Sequence, residues 1–309
     1  MHYLEAGTGP LVLLLHGFPE LSFSWRHQIA ALADAGYRVI APDQRGYGQT
    51  DRPENPEEYT LCHLAGDILG LVHALGEKRA AVIGHDWGAT VAWTSALLRP
   101  DIFGALGLLS VPYRANLWSG PPPTANMKAL LADGLMFYQL YFQEPGKADE
   151  ELARDPRNSL LRMFNGVAGG AREKWRYLLS LDEGFLDTLS KTNGLPHWLS
   201  ESELDFFATS FKRTGFTGGL NWYRNIDRDR ELLGFLAGAK IGQPSIFVAG
   251  AEDPVIEMLR GDFDLLEQTM PGLTAKALIS GAGHWVQQEK PKEVNRNLLH
   301  FLSTAWTAR

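Results

Sequence analysis

The chain has 309 residues, 45% hydrophobic and 21% charged, with 32 glycines and 17 prolines, a composition that fits a soluble globular protein with one large domain or a core plus a smaller module. A net charge of −7 and a pI near 5.7 argue against nucleic acid or an anionic membrane surface as a partner. A single cysteine, Cys62, excludes an internal disulfide and fits a reducing compartment; it is expected as a core thiol at the start of a helix.

The opening MHYLEAGTGP has neither a basic n-region nor an apolar h-region, and the aliphatic run at 11–15 is far too short to cross a bilayer. A cytoplasmic protein without membrane insertion is expected. In chain order, 11–15 reads as a buried strand, followed by a helical stretch through Trp25, Ile29 and Leu32, and then by a strand at 37–41. Leu61, Leu64, Ala65, Ile68, Leu71, Val72 and Leu75 recur at three- and four-residue steps, which predicts an amphipathic helix. A strand at 80–83, a helix at 89–98 ending before Pro100, and a strand at 105–110 complete the first part. This alternation implies an α/β fold with a mostly parallel sheet and helices on both faces.

After Val111-Pro112 the alternation stops. Residues 113–235 lack clear strand runs, carry a proline-rich loop at 120–123 and read as helices with aromatic-rich joins. Strands at 245–249 and 275–279 and a helix at 291–302 resume the pattern. The expected organisation is an α/β core made of 1–112 and 236–309, with 113–235 inserted as a helical cap.

Two short motifs carry the chemistry. GHDWGA at 84–89 places Asp86 between small residues at a strand-to-helix turn, the geometry that pushes a nucleophile into an active site. SGAGHWV at 280–286 places His284 just beyond another strand, and AGAEDPVI at 249–256 does the same for Asp253. The order nucleophile, acid, base and the convergence of strand ends resemble the α/β-hydrolase fold. Taken singly, a histidine before a tryptophan and an aspartate before a proline are ordinary structural residues.

At the elbow stands a carboxylate, ionised at neutral pH without help since its reference pKa is about 3.9. It suits displacement at a saturated carbon, which leaves an alkyl ester on the enzyme. Hydrolysis of that ester requires a base. His284 can activate water, with Asp253 orienting the ring and Glu252 as the alternative orienter. Backbone N–H groups of Trp87 and of the HGFPE loop at 16–20, from Phe18, are expected to hold the developing oxyanion. The segment 113–235 holds Tyr138 and Tyr141 in FYQLYFQEPG and Tyr223 in GGLNWYRN. A phenol stays protonated at neutral pH and can donate to a departing alkoxide, although by count alone a packing aromatic of the cap is the better reading of each. Phe137, Phe142, Trp222 and Trp285 are candidates for an apolar substrate pocket, with Trp87 beside the nucleophile. His85 is expected to support the elbow, and the acidic stretch at 54–58 to be a solvated loop.

HGFPE, DQRGYGQTDRP at 43–53, GHDWGA, YQLYFQEPG, GFTGGLNWYRN at 215–225 and GHW together resemble the soluble epoxide hydrolases over nearly the whole chain. The resemblance implies conversion of epoxides to vicinal diols with no cofactor and no metal; the partner expected is a small-molecule epoxide, with the chain a monomer or homodimer. It also implies that Tyr138 and Tyr223 assist ring opening, that Tyr141 packs, and that the bond preceding Pro19 is cis. Members usually carry a strand before the HYLEAG-like segment, so a short or missing sheet edge is expected here. The runner-up reading is a haloalkane or haloacid dehalogenase, which also uses an elbow aspartate but has no need of two phenols. A serine esterase conflicts with Asp86, and a non-catalytic receptor conflicts with an intact triad.

Overall fold

The computed structural model describes residues 1–129, 134–171, 175–191 and 194–307. Among them are nine strands: β1 Tyr3–Ala6, β2 Leu11–Leu15, β3 Arg38–Pro42, β4 Ala80–His85, β5 Phe103–Leu109, β6 Leu135–Phe137, β7 Leu178–Ser180, β8 Ser245–Gly250 and β9 Leu273–Ile279. Seven form one sheet in the order β1-β3-β2-β4-β5-β8-β9, parallel throughout except that β1 pairs antiparallel with β3. The edge strand β1 is the HYLEAG-like segment itself, four residues long, with Tyr3 opposite Pro42.

Strands β2 and β4 are buried along their whole length, as expected for parallel strands covered on both faces. Their side chains alternate between two apolar clusters. Leu11, Leu13 and Leu15 face the cluster that contains Leu64 and Ile68 of helix α1 (Leu61–Ala74) and Val91 and Ala92 of helix α2 (Trp87–Leu98). Val12 and Leu14 face the opposite cluster, which is completed by Leu32 and by Leu298 and Leu302 of the last helix, Pro291–Ala305. The expected α/β architecture with helices on both faces is the observed one. Cys62 is a correction: it is exposed, because the buried stripe of α1 runs through Leu61, Leu64, Ala65, Ile68, Leu71 and Val72 and turns residue 62 outward.

The described residues between β5 and β8 contribute no strand to this sheet, but they are not purely helical. β6 and β7 pair antiparallel, with Leu135 opposite Ser180. Strands of three residues separated by about forty leave no alternation to read, which is why they escape a periodicity analysis. Around them lie α3 (Tyr138–Tyr141), α4 (Pro156–Gly166), α5 (Glu201–Thr214), α6 (Thr217–Arg224) and α7 (Ile226–Leu233). The α6–α7 junction is tied to the sheet-bearing part by Asn225 Nδ2 donating to the Pro56 carbonyl (2.7 Å) and by the Trp222 indole donating to the Arg45 carbonyl (3.2 Å). Among the described residues, no helix is long and apolar enough to cross a membrane.

Candidate active site

β2 and β4 are neighbours, yet the chain leaves β2 for β3 on one side and β4 for β5 on the other. Ligands of open parallel sheets bind at such a switch point, beyond the carboxyl ends of the strands. Asp86 follows β4 there, at φ 53° and ψ −122°, a region non-glycine residues occupy only when their surroundings enforce it. Two glycines make the turn possible. A Cβ on Gly84 would lie 2.0 Å from the Gly88 carbonyl oxygen, and one on Gly17 would lie 2.3 Å from Asp86 Oδ1.

The two oxygens of Asp86 have different surroundings. Oδ1 accepts the Phe18 N–H at 2.8 Å, from the loop that leaves β2 and contains a cis Phe18–Pro19 bond. Oδ2 lies 3.6 Å from His284 Nε2. On the other side of the ring, His284 Nδ1 is 3.2 Å from both Asp253 oxygens, and Asp253 Oδ1 also accepts the Val255 N–H at 2.9 Å. Glu252 points elsewhere and accepts the Gly170 N–H. Burial works to lower the His284 pKa, but Asp253 and then Asp86 outweigh it, so the imidazole holds its proton well above the usual histidine range. Trp87 opens α2, where backbone N–H groups have no intrahelical acceptor.

A buried polar network supports this arrangement, and sequence reasoning missed most of it. His85 bridges Glu20 Oε2 and the His284 carbonyl oxygen, both at 2.7 Å, and Ser110 donates to the same carbonyl. Glu20 Oε1 accepts from the side chains of Gln287 and Gln288, each at 3.0 Å. Burial alone would raise the Glu20 pKa, but the charge and hydrogen bond of His85 bring it down to about 2. Glu289 receives the N–H groups of Gly169, Gly283 and Trp285, which pins the loop carrying His284. Glu20 is visible in HGFPE as a charged residue in an apolar setting; the glutamine pair gives no sequence signal.

Two cavities meet at Asp86. The smaller, of about 60 Å³, runs along Phe142, Val167, His284 and Trp285; the larger, of about 550 Å³, runs along Trp87, Phe137, Arg114 and Asp229. Asp86, Tyr138, Tyr223 and Val255 line both. Tyr138 Oη receives a hydrogen bond from Gln139 Nε2 at 2.9 Å. The Tyr223 ring packs edge-on against Trp87 at 5.0 Å and Phe18 at 5.5 Å. Burial, reinforced by the Asp86 charge, raises the pKa of each phenol above its ordinary value, so both are proton-bearing donors. Tyr141 packs against Phe142 and under Lys147 instead. Trp222 is a second correction. It lines neither cavity, because its indole is directed to the Arg45 carbonyl and its ring is enclosed by Tyr47 and Trp87.

The chain is similar over nearly its whole length to known proteins. The model of the alpha/beta hydrolase fold family matches residues 10–291. Epoxide hydrolase A of Mycobacterium tuberculosis (strain ATCC 25618 / H37Rv) is 48% identical, the match covering 98% of this chain and 94% of that protein. The crystal structure of epoxide hydrolase A from Mycobacterium thermoresistibile superposes with a TM-score of 0.92 at 50% identity, over 97% of this chain and 94% of that one. An epoxide hydrolase from an endophytic Streptomyces gives a TM-score of 0.94 at 46% identity, over 98% and 91%. Aligned over nearly its whole length with such relatives, and with Asp86 at a strained strand-to-helix turn beside the Asp253–His284 pair, this chain belongs to the epoxide hydrolase family of the α/β hydrolase fold.

Proposed function

We propose that the protein hydrolyses epoxides to vicinal diols in two steps, with residues 113–235 acting as a cap over a core made of 1–112 and 236–309. In the first step Asp86 Oδ2 attacks an epoxide carbon. The ring C–O bond breaks, its electron pair passes to the ring oxygen, and the hydroxyls of Tyr138 and Tyr223 donate to that oxygen as it becomes an alkoxide. In the second step water attacks Cγ of the Asp86 ester while His284 Nε2 takes its proton. Charge gathers on Oδ1, where the Phe18 N–H already points and where the Trp87 N–H is the second donor. Collapse expels the diol oxygen, and His284 returns the proton.

The paired carboxylates also account for the order of events. With Asp86 ionised, His284 holds a proton and is no base. Esterification removes the Asp86 charge, and with it one of the interactions that raise the imidazole pKa; the imidazolium then gives its proton to the alkoxide left by ring opening, which frees His284 as the base, and the acid form of Asp86 produced by hydrolysis returns a proton to the ring.

The observation that carries this reading is that both phenols and the nucleophile line the same junction of two cavities. Halide displacement would need no such pair. A single turnover in 18O-water tests it: label should enter Asp86 and be absent from the first diol released. Label in that first diol, or halide release from haloalkanes without diol formation from any epoxide, overturns the reading.

A further inference from the structure

The wall of the large cavity contains a carboxyl group that the proposed chemistry leaves unused. Asp229, in α7, is 1% exposed and lines that cavity together with Leu61, Thr90 and Ile226. Its Oδ1 accepts the Leu61 N–H at 2.7 Å, at the first turn of α1. Among the described residues, Oδ2 has no hydrogen-bonding partner. Buried polar atoms are nearly always paired, and one that faces a cavity is free to be paired by what fills it.

The chemistry of the cavity limits what that partner is. Its charged lining consists of Asp86, Asp229, Asp262 and Arg114, and the guanidinium is already engaged with Asp262 at 3.1 Å. Among the described residues, an anionic substrate end therefore meets no free cation there. Burial pushes the Asp229 carboxyl up to about 8, against smaller opposing pulls from the Leu61 N–H and Arg228. Near neutral pH it is mostly the neutral acid, which both donates and accepts. A hydroxyl group matches that pair of capacities. The unequal cavities, about 60 Å³ against about 550 Å³, assign the two arms of a substrate: a short one beside Trp285 and a long one toward Asp229.

We propose that Asp229 is a specificity-determining residue that hydrogen-bonds a hydroxyl on the longer arm of the substrate, so that unsymmetrical epoxides with a hydroxyl-bearing arm are preferred. This inference rests on the epoxide-hydrolysing activity proposed above, and the test separates the two. The kcat/KM of the enzyme is measured on terminal 1,2-epoxyalkanes of six to ten carbons and on partners in which the terminal methyl is replaced by a hydroxyl. Without a partner in the wall, the hydroxyl only adds a desolvation cost, and the ratio of hydroxyl to methyl substrate falls below one. With Asp229 as partner, the ratio exceeds one by about tenfold at the chain length that reaches it. Asp229→Asn, which keeps a donor and an acceptor, should hold this ratio within about threefold, and Asp229→Leu should bring it to one or below. A ratio at or below one at every length in the parent enzyme overturns the inference while leaving the activity standing, and it does so even if the leucine variant fails to fold. A folded Asp229→Leu enzyme that keeps the preference overturns it equally. Failure to turn over any epoxide removes the activity and this inference together.

Discussion

Replacing Tyr138 and Tyr223 by phenylalanine tests how the epoxide oxygen is helped to leave. Each substitution removes one hydroxyl and keeps the ring, so the contacts of Tyr138 with Phe142 (5.5 Å) and Trp175 (4.9 Å), and of Tyr223 with Trp87 and Phe18, persist. The structural cost is small: Gln139 loses the acceptor for its amide, worth about 1 kcal/mol. The kinetic cost is large. Both phenols are buried and proton-bearing, and removing one preorganised donor from a developing oxyanion in a dry site costs about 3 kcal/mol, or roughly a hundredfold. A single variant should therefore alkylate about a hundredfold more slowly. The double variant, with no donor left, should be slower by about 10³ to 10⁴. The rate is read by rapid quench and intact-protein mass spectrometry in a His284→Gln background, where the ester accumulates, with thermal melting as the control for folding. A folded double variant that alkylates within about tenfold of its parent would refute the assignment of the two phenols.

Further outcomes follow from the same geometry. His284→Gln should form the ester and fail to cleave it, so a mass increase of one substrate should map to Asp86; absence of the adduct would rule out a covalent step. Asp86→Asn should lower the His284 pKa by about one pH unit or more, because it deletes a carboxylate 3.6 Å from Nε2 that favours the protonated ring. An NMR titration of the imidazole checks this, and an unchanged value would show that the pair does not couple as described. Gly84→Ala should destabilise the fold by about 3 kcal/mol or more, since its Cβ would fall 2.0 Å from the Gly88 carbonyl oxygen, and should depress kcat by displacing the turn that presents Asp86. A melting temperature and kcat equal to those of the parent would mean that the elbow is not sterically closed.

Much of this molecule is legible from the residues alone, and the physical reason is that the relevant forces are local. Alternating apolar runs and three- to four-residue spacings report which face of each element is buried, so β2, β4, α1 and α2 are found within a few residues of their observed ends. The elbow is equally local, because the crowding of Gly84 against Gly88 acts across one tight turn. The positions of Asp253 and His284 follow from their places just past strands of a parallel sheet, and the identity of the two tyrosines follows from the motifs that surround them.

What the chain does not disclose is whatever depends on which distant surfaces meet. The pairing of β6 with β7 joins three-residue segments about forty positions apart, too short to leave a pattern. Trp222 and Tyr223 are adjacent on α6, yet packing sends the tryptophan to the Arg45 carbonyl and the tyrosine to the cavity junction. Glu20 meets His85, Gln287 and Gln288 only because the loop after β2, the end of β4 and the loop carrying His284 converge. Asp229 lies within a charged run, DRDRE, which carries no local sign of burial, and it becomes a buried cavity-wall acid only where α7 docks on the start of α1. Sequence spacing determines conformation over a turn or a strand, whereas burial, proton affinity and cavity shape are set by neighbours that only the closed tertiary structure brings together.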